Sequence, residues 1–210
     1  MNVANLITVL RFPLLVVVVL LLYFGGAAGQ LVDVFLIVVL ILMDSLDGIV
    51  ARRRQEQTLV GSALDVAADR AVEIALWVTY AHLGLISVVI PLTVIIRGAL
   101  TDSIRNIALQ YGKSAHSMMQ APWARWLVAS SPMRTGYAVI KAIAFALLAL
   151  ALGLQSGGYA VWRGVWIAGS VFAWASLVVC VLRGLPVVIE APSLFRSAEF
   201  QVAAPPVPRE

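Results

Sequence analysis

A bundle of six membrane-spanning helices is the fold class this sequence predicts. Two features of the composition point to it: 61% of residues are hydrophobic and only 12% are charged. The third feature is arrangement, because the apolar residues collect in stretches close to the roughly 20 residues a bilayer-crossing helix needs. Mean hydropathy is +0.95. A soluble domain is about 45–50% apolar and about 25% charged, so soluble, disordered and disulfide-scaffold classes are excluded. Of 210 residues, 61% is about 128, enough for about six spans in one compact bundle. The single cysteine, Cys180, excludes internal disulfides and Cys-based metal clusters. A net charge of +4 could suggest nucleic acid. In an apolar chain it reads instead as cytoplasmic loops facing anionic headgroups, and no nucleic-acid partner is expected.

The six stretches follow in order. The first runs from Leu6 to Phe24 and ends at Gly25-Gly26-Ala27-Ala28-Gly29; the second runs from Leu31 to Ala51. The third, Leu59 to His82, is polar in its first half, and the fourth runs from Ile86 to Leu109. Tyr137 to Leu154 and Ala160 to Leu182 complete the set. Residues 1–190 are expected to form one six-helix domain, followed by a short disordered tail, 191–210, containing Pro192, Pro205, Pro206 and Pro208. Basic residues sort to alternate connections: Arg52, Arg53 and Arg54, then Arg105, Lys113, Arg125 and Arg134, then Arg183, Arg196 and Arg209. The positive-inside rule puts those connections and both termini in the cytoplasm, in a multi-pass integral membrane protein. Trp77, Tyr80, Tyr159, Trp162 and Trp166 are expected near the outer ends as an aromatic belt. A competing reading takes Arg11, Leu14 to Phe24 and Ala27-Ala28-Gly29 as a cleaved leader. That would leave an odd number of spans and the termini on opposite sides.

The acids fall where a bilayer disfavours them. Asp44 and Asp47 sit near the inner end of the second stretch; Asp65 and Asp69 sit in the inner half of the third. Each Asp at a helix centre costs about 2.5–3.5 kcal/mol, so four cost on the order of 10 kcal/mol unless compensated. Asp44, Asp47, Gly48 and Ala51 are spaced i, i+3, i+4, i+7 and share one helix face. Asp65 and Asp69, at i, i+4, share a face of the next helix, with Gly61 one turn earlier. Gly48, Ala51 and Gly61 permit close backbone approach. Four facing carboxylates repel unless neutralised, and hard oxygen donors without Cys or His suit Mg²⁺ or Mn²⁺. Arg52, Arg53 and Arg54 beside them point to a phosphate-bearing substrate, and two ions could clamp an in-line phosphoryl transfer. Asp44 lies about 12 Å along the helix from Arg52, below the headgroups, which suits a lipid whose phosphates reach the ions. From the residues alone a carboxylate-lined ion or proton transporter remains the alternative.

The chain from Asp44 to Asp69 reads D-x2-D-G-x2-A-R-x8-G-x3-D-x3-D, with Asp44, Asp47, Gly48, Ala51, Arg52, Gly61, Asp65 and Asp69 at the fixed positions. It resembles the signature of the CDP-alcohol phosphotransferases, and Asn5-Leu6-Ile7-Thr8-Val9-Leu10-Arg11 resembles the N-x-[LI]-T-x-x-R start of many members. The resemblance implies that an alcohol hydroxyl attacks the β-phosphorus of CDP-diacylglycerol or a related CDP-lipid and that CMP leaves. It implies Asp44, Asp47, Asp65 and Asp69 as ligands of two divalent ions, with Asp69 also the general base. It implies Gly48, Ala51, Arg52 and Gly61 as the CDP-lipid site, with Asn5 and Thr8 reaching the nucleotide. It also implies a homodimer among membrane lipids.

The acceptor is read from basic residues. Arg97 and Arg105, eight apart, resemble the R-E-x6-R of phosphatidylglycerophosphate synthases, with Gly98 replacing the acid. Pro132-Met133-Arg134 and Arg183 resemble positions of phosphatidylinositol-phosphate synthases. Arg97, Arg105, Arg134, Lys141 and Arg183 are expected to bind an acceptor phosphate, since Arg grips phosphate through two donors. Glycerol 3-phosphate is the favoured acceptor, with inositol phosphate second and serine third. The short tails fit a prokaryotic cytoplasmic membrane.

Overall fold

The computed structural model describes residues 3–53, 58–110, 126–128 and 130–202. Among them every regular element is helical, and the six long helices are α1 (Val3–Phe24), α2 (Gly26–Arg53), α3 (Leu59–His82), α4 (Val89–Gln110), α5 (Ser131–Ser156) and α6 (Trp162–Val202). A further helical piece occupies 126–128. Two compact units emerge from the contacts, one formed by Met1–Leu92 and Val139–Ser176, the other by Thr93–Ala138 and Leu177–Glu210.

Four helices are long and apolar enough to cross a membrane: α1 over Ala4–Phe24, α2 over Gly26–Val50, α5 over Ser131–Ser156 and α6 over Trp162–Pro192. This is fewer than the six expected, and the reason is charge. Asp65, Asp69, Arg70 and Glu73 lie on α3, and Arg97, Asp102 and Arg105 lie on α4. Helix α3 tolerates its charges because much of it faces protein. Leu76, Trp77 and Tyr80 are wholly buried, as is Phe145 of α5 nearly so. The Trp77 and Phe145 rings lie 4.5 Å apart, and the Tyr80 hydroxyl donates to the Phe145 carbonyl at 2.8 Å. Trp77 and Tyr80 are therefore core residues of the first unit, not members of an aromatic belt.

The helix ends follow from local chemistry. Thr58, extended at φ −126°, caps α3 by accepting from the Gly61 N–H at 3.0 Å. Two terminations are alike. After α3, Leu85 N–H donates to the Tyr80 carbonyl and Gly84 N–H to the Ala81 carbonyl; after α5, Tyr159 donates to Leu154 and Gly158 to Gln155. Gly84 and Gly158 both sit at φ +72°, the left-handed residue this double-bonded end requires. The Trp166 indole N–H then donates to the Leu85 carbonyl at 2.8 Å, tying α6 to the turn after α3.

Three boundaries differ from expectation by more than a turn of helix. Helix α2 begins at Gly26, so Ala27, Ala28 and Gly29 are helical rather than connecting. Gly26 alone turns the chain, at φ +57°, while Gly25 still donates to Leu21 and Gly29 to Gly25. Helix α5 starts six residues early, at Ser131, where Pro132 suits a first helical turn. Helix α6 continues past Glu190 to Val202, through Pro186 and Pro192, into the segment read as tail.

Gly84→Ala and Gly158→Ala should each lower stability by about 1–2 kcal/mol, the cost of an L side chain in the left-handed region. Gly164→Ala, which meets open space, should not. Thermal unfolding of the three variants in detergent checks this.

Candidate active site

The acids of α2 and α3 are joined by a residue of α1. Arg11 is the one charged residue in α1, and its side chain is only 2% exposed. Its Nη1 lies 2.7 Å from Asp44 Oδ1 on α2 and 3.7 Å from Asp65 Oδ1 on α3. One guanidinium nitrogen thus faces carboxylates from two helices, and Asp44 and Asp65 converge. Asp69, one turn beyond Asp65, is exposed and lies within electrostatic reach of Lys141, Asp44, Glu73 and Arg11. Asp47, Ala51 and Arg52 lie on α2, but their side chains fall outside the described residues; Gly48 is half-buried there.

The burial is one-sided. The Asp44 and Asp65 side chains are 40% and 50% exposed, whereas Arg11 is enclosed. The guanidinium therefore backs the carboxylates from the protein side and leaves their other side open. The single positive charge of the guanidinium is less than the two negative charges of the carboxylates it faces. Hard oxygen donors with an open side and unbalanced negative charge fit a divalent cation. Among the described residues no group of three or more metal-ligating side chains is assembled. Asp44 and Asp65 meet at Arg11, but Asp69 is not gathered with them into such a group, and the Asp47 side chain lies outside the described residues.

Beside the acids, α1 closes on the start of α3. A Cβ on Gly61 would meet Asn5 Oδ1 at 2.5 Å and Thr58 Oγ1 at 3.0 Å, so Gly61 gives Asn5 room to lie against α3. Thr8, one turn on, is buried, and its hydroxyl donates to the Ala4 carbonyl at 3.1 Å. Asn5, Thr8 and Arg11 recur every three residues and so share a face of α1.

The expected acceptor residues divide. Lys141 belongs to the first unit, where its Nζ lies 3.1 Å from Glu73 Oε1; the side chains are 12% and 4% exposed. Arg70 adds a second, 3.7 Å contact to Glu73 Oε2. Arg97, Arg134 and Arg183 belong to the second unit. Arg97 packs against α6, where a Cβ on Gly184 would come within 2.7 Å of its Cγ, and its Nε is buried without a hydrogen-bond partner among the described residues. Arg183, next to Gly184, stacks over the Tyr137 ring at 5.5 Å and donates to the Val128 carbonyl at 3.4 Å. Arg134 is exposed, and Arg105 lies on α4 with its side chain outside the described residues.

The family model for CDP-alcohol phosphatidyltransferase matches residues 1–182. The chain belongs to this family. It is therefore a CMP-forming transferase of membrane phospholipid synthesis, a family that moves a phosphatidyl group from a CDP-linked lipid to an alcohol and generally uses divalent metal ions. No curated protein matches the chain. For this CDP-alcohol phosphatidyltransferase the match spans α1 to the middle of α6 and includes both acid-bearing helices.

The i, i+3 spacing of Arg70 and Glu73 reads as the salt bridge found at 3.7 Å, but sequence reasoning missed what three buried polar residues do. The counter-ion Arg11 had a signal, as the lone charge in a 22-residue apolar helix. The partner of Lys141, Glu73, had none, because the pair joins α3 to α5 across 68 positions (141 − 73). Asp33 of α2 is wholly buried, with no hydrogen-bond partner for either carboxylate oxygen, and no motif marks it.

Breaking the Glu73–Lys141 pair from one side leaves an uncompensated buried charge. Glu73→Gln should cost about 3 kcal/mol, and the double change Glu73→Leu with Lys141→Met should recover most of it. A double-mutant cycle of thermal unfolding measures the coupling.

Proposed function

We propose that this enzyme transfers the phosphatidyl group of CDP-diacylglycerol to glycerol 3-phosphate, releasing CMP. The observation that carries the reading is the meeting of Asp44 and Asp65, from the two halves of the family signature, at one open-sided site. Asp44, Asp47, Asp65 and Asp69 hold two ions, Mg²⁺ or Mn²⁺. Bound there, the ions supply positive charge to the pyrophosphate oxygens. Asn5, Thr8, Gly48, Ala51, Arg52 and Gly61 line the nucleotide side of the lipid donor.

Asp69 takes the proton of the acceptor hydroxyl. Its exposure suits a group that meets a substrate from outside. The hydroxyl oxygen bonds to the β-phosphorus, the bond from that phosphorus to the bridging oxygen breaks, and CMP departs with the electron pair.

The acceptor's own phosphate is bound by Arg97, Arg105, Arg134 and Arg183 of the second unit, while Lys141, of the first, is engaged by Glu73. The buried, unpartnered Nε of Arg97 supports this, since a buried guanidinium donor lacking a partner is costly until an anion fills it. Inositol phosphate suits the same basic set and is the second reading; serine, without a phosphate, leaves it unused. The enzyme works as a homodimer in a prokaryotic cytoplasmic membrane, with α3 and α4 completing six spans and the acids facing the cytoplasm.

CMP release from CDP-diacylglycerol, measured against glycerol 3-phosphate, inositol phosphate, inositol and serine, tests the reading. Release should be greatest with glycerol 3-phosphate and be abolished by EDTA; release with serine alone would overturn the acceptor. Asp69→Asn should reduce turnover at least about 100-fold while keeping CDP-lipid binding; retention of most turnover removes the base. Arg97→Met should raise KM for glycerol 3-phosphate about tenfold or more, the loss of a charged hydrogen bond, and leave KM for CDP-diacylglycerol unchanged.

A further inference from the structure

We infer that Arg11 is a built-in counter-ion of the acid site: it keeps Asp44 and Asp65 assembled when no metal is bound and lowers the site's affinity for divalent cations. The inference rests on the reading of Asp44 and Asp65 as metal ligands. Three observations support it. The same nitrogen, Nη1, approaches both carboxylates, at 2.7 and 3.7 Å, and so bridges them as a cation would. The guanidinium is enclosed, with Nε and Nη1 both shielded from solvent. It has no solvent to retreat into when a second cation arrives. The carboxylates, in contrast, are open on their other side.

Two effects of Arg11 on metal binding oppose each other. Ordering the two carboxylates favours the ion, but it fixes only a few side-chain torsions. A permanent positive charge a few ångströms from a doubly charged ion opposes binding, and burial leaves that repulsion weakly screened. The charge effect is the larger, so Arg11 restrains the affinity. Its benefit lies in the empty site: without it the acids of α2 and α3 face each other with no positive charge of α1 between them. Arg11 is thus a positioning residue, acting on the reaction through Asp44 and Asp65.

Mn²⁺ binding to the full-length protein in detergent, read from the electron paramagnetic resonance signal of free Mn²⁺, tests this for wild type, Arg11→Met and Arg11→Lys. Arg11→Met should bind Mn²⁺ about tenfold or more tightly, and its thermal unfolding should shift further on adding Mn²⁺ than wild type's does. Arg11→Lys, which retains the charge, should stay within about threefold of wild type, which a purely structural role for the guanidinium fork does not predict. If Arg11→Met does not survive without metal, it is purified with Mn²⁺ and its affinity read by competition with EDTA. Binding by Arg11→Met that equals or falls below wild type overturns the inference while leaving the metal site intact. Absence of Mn²⁺ binding by wild type overturns the metal site and this inference with it.

Discussion

The cost of placing several carboxylates on neighbouring apolar helices governs this molecule. Asp44 and Asp65 stand on helices rich in Leu, Val, Ile and Ala, and each would be expelled from apolar surroundings if left alone. Arg11 offsets part of that cost from the third side, which is why α1, α2 and α3 must pack together. Gly61, with Asn5 lying against it, lets α1 approach the first turn of α3, and the Thr58 cap fixes where that turn begins. The fold of the first unit and the chemistry of its site are one constraint seen at two scales.

The same logic recurs deeper on α3. Glu73 is nearly enclosed and meets both Lys141 and Arg70, so its buried charge is borne in company. One turn further, Trp77 and Tyr80 pack on α5 with no charge at all. Helix α3 therefore grades from ionic at the site to apolar at its end. Its length resembles that of its neighbours, and its composition differs because protein, not hydrocarbon, covers much of its surface.

The i, i+3 and i, i+4 spacings put Asp44 with Asp47 on one helix face and Asp65 with Asp69 on another, and of these four Asp44 and Asp65 meet at Arg11. The bounds of α3, Leu59–His82, were legible for the same reason, with Thr58 before and Gly84 after. The start of α2 was not, because a Gly-rich run reads as a turn while only Gly26 needs the left-handed conformation. Trp77 and Tyr80 read as interfacial because amphipathic rings favour that depth, and only tertiary packing reveals them as core. Arg11, Glu73 and Lys141 depend on helices distant in sequence coming together, which periodicity does not encode.

The most direct test of the central claim is a structure of the protein soaked with Mn²⁺ and CDP-diacylglycerol, with the metal located by anomalous scattering. The account predicts anomalous density ligated by Asp44 and Asp65 on their open side, next to the pyrophosphate, with Arg11 still behind them. Density elsewhere, or Asp44 and Asp65 turned toward different neighbours with no metal between them, would contradict it.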